Sequence, residues 1–166
     1  MVQAGRKGTV VINQKKPWLL GVTWDSIVNT NRVQCQAQKL EPQTNPRTAT
    51  NTERAWAAAE PKATTLIEAF DTCRRAFEQS PFTFNNGNTF AAVGRRLVDD
   101  CLRSAPPVEA QILRTTIGHY VAGTIDRKEL AQVLTHFAAL LTPAAEPPPP
   151  ASAPRRPAEI TAPSLA

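Results

Sequence analysis

Leu66, Phe70, Cys73 and Phe77 recur at intervals of four, three and four residues, which lays them along one face of an α-helix. Thr65, with Glu68 three residues on, supplies a capping box at the start of that stripe. A second stripe follows in Phe90, Val93, Leu97 and Cys101. A third follows in Ile112, Leu113, Ile117, Tyr120 and Val121, and a fourth in Leu130, Val133, Leu134, Phe137 and Leu141. Amphipathic helices at this spacing must bury their faces against one another, so the chain is expected to be all-α and a helical bundle.

The punctuation between stripes sets the element boundaries. Ser80 to Asn88 reads as a loop marked by Pro81 and Asn85-Asn86-Gly87. Pro106-Pro107 forces a break or a new helix start, because proline is tolerated only in a first turn. Gly123 suits a helix C-terminus, and Asp126 with Glu129 can cap the last helix. Upstream, Asp25 to Leu40 is weakly helical with Asp25 as its N-cap. Asn51 or Thr52 caps a short alanine-rich helix through Trp56 that ends near Glu60-Pro61.

The ends differ from the middle. Residues 1–23 read as a basic extended arm, with Arg6, Lys7, Lys15 and Lys16 and no acid, a β-prone run Thr9-Val10-Val11-Ile12, and a break at Pro17. Residues 143–166 carry eight of the fifteen prolines, seven of them between Pro143 and Pro157, together with Arg155-Arg156, and read as a low-complexity, mobile tail. A helical domain over residues 24–142 lies between them, and 166 residues suffice for one such core.

Catalytic and metal chemistry find no support. His119 and His136 stand 17 residues apart without a cysteine or carboxylate pattern for zinc. Gly123 to Glu129 has the outline of half a calcium loop, but Gly118, Tyr120 and Ala122 supply no carboxylate at the earlier ligand positions. Cys35, Cys73 and Cys101 are odd in number and widely spaced, so buried thiols are expected rather than a disulfide framework. Neither a phosphate loop nor a nucleophile elbow occurs, and no cofactor is implied. Arg6 and Lys7 precede no apolar stretch, so the cytosol is the expected compartment. No apolar run approaches the ~20 residues of a membrane span.

The net charge of +5 suits an anionic partner. Its later arginines come in tight pairs, Arg74-Arg75 and Arg95-Arg96.

Ala69-Phe70-Asp71-Thr72 followed by Arg74-Arg75, and Arg95-Arg96-Leu97-Val98-Asp99-Asp100 further on, resemble the RNA-facing segments of rod-shaped plant virus coat proteins, the tobacco mosaic virus coat protein family. Ile112-Leu113-Arg114, Gly123-Thr124 with Arg127, Trp24-Asp25 with Ile27 and Asn29, and Arg47-Thr48 followed by Trp56 continue the likeness over roughly residues 24–135. The 24-residue separation of Asp71 and Arg95 suits the family's loop near the rod axis.

The resemblance implies an elongated four-helix bundle of the tobamovirus coat type, with RNA gripped near its loop-side end, and many copies in a helical array around single-stranded RNA. It implies RNA binding by Arg74, Arg75, Arg95, Arg96, Arg47, Asp99 and Asp100. Glu78, Asp99 and Asp100 would form an inter-subunit carboxylate switch, since carboxylates held close together favour protonation; the alternative for these acids is an ordinary salt bridge to the neighbouring arginines. Virion and host cytoplasm are the implied locations.

Cys73 stands where the family has an arginine, the segment between Trp56 and Phe70 is short enough to reduce or remove the family's outer sheet, and Pro106-Pro107 splits a normally continuous helix. Competing readings are a cellular helical RNA- or DNA-binding subunit of a ribonucleoprotein complex, and a helical adaptor for acidic proteins.

Overall fold

The computed structural model describes residues 12–142. Seven helices occupy them: α1 (Trp24–Ala37), α2 (Ala49–Ala59), α3 (Leu66–Gln79), α4 (Asn86–Leu97), α5 (Asp99–Ser104), α6 (Pro107–Val121) and α7 (Arg127–Leu141). The fold of the described residues is all-α, and the one extended pairing among them is an isolated antiparallel bridge between Thr44 and Phe82.

Local chemistry explains most boundaries. Both expected capping boxes form: Thr65 Oγ1 accepts from the Glu68 N–H, Asp126 Oδ1 accepts from the Glu129 N–H, and each glutamate reaches back to its cap. α6 opens with Pro107 in its first turn, after Pro106 in an extended conformation. Gly123 takes φ +77° just past the end of α6, a conformation that costs a residue with a Cβ.

Four boundaries differ from expectation. Thr23, not Asp25, caps α1; its hydroxyl accepts from the Ser26 N–H at 3.2 Å, and Asp25 lies inside the first turn. α2 begins at Ala49, and Thr48 at its N-cap position donates its hydroxyl to the Ser80 carbonyl at 2.9 Å instead of capping. The loop after α3 closes at Asn85, whose φ of 61° turns the chain, so Asn86 already starts α4. The Phe90-to-Cys101 stripe is broken at Val98, which has φ −115° and ψ 17° and separates α4 from the one-and-a-half-turn α5.

α4 is central, packing against α1, α3 and α6; α6 also packs against α3, α5 and α7, and α2 lies on α3 and α1. Phe70, Phe90, Leu113, Ile117 and Leu130 are fully buried where these helices meet, each such side chain contributing roughly 1.5–3 kcal/mol. Ile112, assigned to the α6 face, instead points outward and is 52% exposed. Its azimuth lies about 100° from Leu113, off the stripe that Leu113 and Ile117 define.

The expected basic arm divides. Residues 1–11, with most of the β-prone run, lie outside the described residues, as does the tail 143–166. Residues 12–22 are part of the globule: Ile12, Trp18, Leu19 and Val22 are buried. The N–H groups of Lys16 and Trp18 donate to the carbonyls of Thr64 and Ala63 at 2.9 and 3.2 Å. Three buried apolar residues in five, Trp18, Leu19 and Val22, have enough surface to pull this segment onto the core despite its charge.

Candidate nucleic-acid interface

Consecutive residues on an α-helix point about 100° apart. Each arginine pair therefore divides between two faces of its helix. Arg74 turns toward α6 and the turn after it: its guanidinium lies 5.3 Å from the centroid of the Tyr120 ring, and Nη1 donates to the Ile125 carbonyl at 3.5 Å. Its Nε also pairs with Glu78 at 3.2 Å. Arg75, about 100° further round the helix, is exposed along the cleft between α2 and α3.

Arg95 and Arg96 divide in the same way. The Nε of Arg95 donates to the Arg114 carbonyl on α6 at 3.1 Å. Its Nη2 lies against Gly118, so close that a Cβ there would sit 2.9 Å from it. Arg96 reaches α1, where Nη2 donates to Thr30 Oγ1 at 3.2 Å.

The pairs do not meet at the loop-side end of the bundle. α3 and α4 run antiparallel around the short 80–85 linker, and their register is set where glycines let them close. A Cβ on Gly87 would stand 3.7 Å from Phe77, and one on Gly94 would stand 3.4 Å from Phe70. Arg95 therefore lies level with Ala69, near the start of α3, and Arg74 sits about one and a half turns nearer the linker. With α4 starting at Asn86, most of the Asp71–Arg95 interval is helix, and no long loop stands between them. Arg47 is the residue that the fold brings to the linker. Its N–H is held by Asn45 Oδ1 at 3.1 Å, and Asn45 Nδ2 donates to the Ser80 carbonyl at 3.2 Å.

Of the described carboxylates near these arginines, only Glu78 pairs with one of them. Asp99 and Asp100 do not pair with Arg95 or Arg96; both pair with Arg103, Asp99 at 3.1 Å. The break at Val98 restarts the helix so that Arg103 stands one turn after both acids, the spacing at which helical side chains meet. These interactions push the Arg103 pKa further up, the Asp100 hydrogen bond first among its causes. Glu78 is held by Arg74. Asp71 is held by Tyr120 and, at 3.3 Å, by Arg127. Arg47, Arg75, Arg95 and Arg96 have no carboxylate within 4.0 Å among the described residues.

All three cysteines are buried and reduced, and burial pushes the Cys73 thiol up to about 12. Among the described residues no cluster of three or more histidines, cysteines and carboxylates could hold a metal ion. His119 Nδ1 lies 2.9 Å from Thr124 Oγ1, and His136 is exposed on α7. No helix of the described residues is long and apolar enough to cross a membrane.

Arg103 and Arg114 are site neighbours that the residue pattern understated. The first was legible as the i+4 and i+3 partner of Asp99 and Asp100; the second carried no local signal, because its carbonyl meets Arg95 only through the packing of α4 on α6. No protein-family model, curated protein or solved structure matches this chain.

Proposed function

We propose that the chain is the coat protein of a rod-shaped plant RNA virus, polymerising helically around single-stranded RNA without catalysis or a cofactor. The observation that carries this reading is electrostatic. Arg75, Arg95 and Arg96 are left without carboxylate partners while the acids beside them are paired with other arginines. Guanidinium forks match phosphate oxygens bidentately, and a coat that accepts any genomic sequence must grip backbone charge rather than base edges.

In this reading α1, α2, α3 and the run from α4 to α6, split at Pro106-Pro107, correspond to the four helices of the tobamovirus coat bundle, with α7 as an addition to it. Arg74 acts differently from its neighbours: it braces α3 against the α6–α7 turn and orients the grip rather than making it. Arg47 adds a cation at the linker end. Copies stack through heterologous interfaces that do not close, which generates a filament. Virion and host cytoplasm are the corresponding locations.

Negative-stain microscopy of the purified full chain, with and without single-stranded RNA, tests the proposal. Rods or stacked discs that lengthen with RNA support it. Discrete particles that bind RNA without polymerising would favour a subunit of a cellular ribonucleoprotein complex.

A further inference from the structure

A cleft of about 480 Å³ runs between α2 and α3. It exists because the side chains that face it are small: Ala55 and Ala59 from α2, and Ala76 from α3. Trp56 forms its floor, buried to 2% exposure, with its indole N–H donated to the Val22 carbonyl at 2.8 Å. That bond and the Trp56–Phe90 ring contact at 6.2 Å fix the indole, so α2 cannot settle further onto α3. The void persists for want of side-chain volume.

The cleft's polar groups have a definite pattern. Arg75 on the α3 wall and Lys62 in the closing turn are cations without an ion pair among the described residues, and the Gln79 amide makes no hydrogen bond among them. The one acid of the lining, Glu68, is turned to other work. Its Oε2 accepts from the N–H groups of Thr64 and Thr65 at 2.9 and 3.0 Å, and these bonds, that of Thr65 first, hold its pKa below the ordinary carboxylate value. The open positions are therefore two cations, one amide that can both donate and accept, and apolar walls.

A nucleotide unit presents the complementary set: apolar faces, an edge carrying both donors and acceptors, and flanking phosphates. A docked helix would press the Gln79 amide and both cations against apolar surface, which is costly without partners. We propose that the α2–α3 cleft takes one base of a bound single-stranded RNA, its faces against the alanine walls, its edge toward Gln79, and its flanking phosphates on Arg75 and Lys62. An amide that both donates and accepts suits any base, so the slot adds affinity for RNA over other polyanions without selecting sequence. This inference rests on the RNA-coat reading and gives it a second component beside backbone charge.

The test uses the full chain, at matched ionic strength, with two probes: a uridine oligomer and inorganic polyphosphate of similar charge. Ala55→Leu with Ala59→Leu fills the cleft from α2 using a good helix former, and a thermal melt verifies the fold. The expected result is about tenfold weaker binding of the uridine oligomer with polyphosphate binding unchanged. Photocrosslinking of a thiouridine oligomer to the wild type should map to residues 49–62 or 68–79.

Equal affinity of wild type and double variant for the uridine oligomer would overturn the inference and leave the arginine grip standing. Retained RNA binding with loss of RNA-free assembly would overturn it in favour of a neighbouring subunit as the occupant. A wild-type chain that binds neither probe would overturn this inference and the coat reading together.

Discussion

Tyr120 on α6, the single tyrosine of the chain, donates its hydroxyl hydrogen to Oδ1 of Asp71 on α3. The other oxygen of Asp71 takes Arg127 Nη2 at 3.3 Å, and Arg74 lies over the tyrosine ring. One carboxylate thus joins α3 to both α6 and the start of α7, beside the arginine pair Arg74-Arg75. Asp71 belongs to the Phe70-Asp71-Thr72 segment on which the family resemblance rests. Its partners are those of a residue that positions the arginines rather than of one that meets RNA.

That arrangement predicts a titration. Burial, then the hydrogen bond and charge of Asp71, push the Tyr120 pKa up to about 12, from an ordinary value of 10.0. A phenol held neutral in the fold stabilises it fully below the unfolded value, and this contribution is lost as pH rises from about 10 to about 12. Phenolate absorbance, which has no other tyrosine to confuse it, should show ionisation near pH 12. In Asp71→Asn the midpoint should fall toward the ordinary value without reaching it, because burial remains. An unmoved midpoint would mean that Asp71 does not hold the hydroxyl.

Two glycines should respond oppositely to substitution. A Cβ on Gly94 would stand 3.0 Å from Ile117 Cγ2 and 3.4 Å from Phe70, both fully buried. Gly94→Val should cost about 1–3 kcal/mol in denaturant unfolding, since neither neighbour has room to move. A Cβ on Gly118 meets only the flexible end of Arg95. Gly118→Ala should stay within about 1 kcal/mol of the wild type, with the gain in helix propensity offsetting the displaced guanidinium.

The RNA grip is testable through salt. Each arginine that no longer reaches a phosphate reduces the slope of log affinity against log salt by about one unit. Arg75→Ala with Arg96→Ala should therefore flatten that slope by about two units, with the melting temperature little changed, because both side chains are exposed. A slope equal to the wild type would make these residues structural.

Assembly should depend on pH through Asp99, Asp100 and Glu78. The proposed rod would repeat these acids on every subunit and bring them near phosphate or another carboxylate, and like charges ~4 Å apart cost about 4 kcal/mol at an effective dielectric near 20. Protonation removes that repulsion, so RNA-free rods should strengthen as pH falls and come apart as it rises. Asp99→Asn with Asp100→Asn, or Glu78→Gln, should carry rods to higher pH when followed by turbidity or sedimentation. Disassembly at the wild-type pH would show that these acids serve only their partners within the subunit, Arg103 and Arg74.

Much of the fold was legible in the sequence because its rules are local. The 3.6-residue period of Leu66, Phe70 and Cys73, the capping boxes at Thr65 and Asp126, and the stop at Pro106-Pro107 depend on atoms within one or two turns. The tertiary structure decided the rest. Thr48 spends its hydroxyl on Ser80, Val98 interrupts a stripe that would otherwise run on to Cys101, and residues 12–22 join the core although their charge suggested a free arm. Sequence order made each arginine pair look like a single patch. Helical geometry turns Arg74 and Arg95 toward α6 and leaves Arg75 and Arg96 on other faces, and only the packing of α3 and α4 on α6, closed at Gly94, sets Arg74 over the Tyr120 ring and Arg95 on the Arg114 carbonyl.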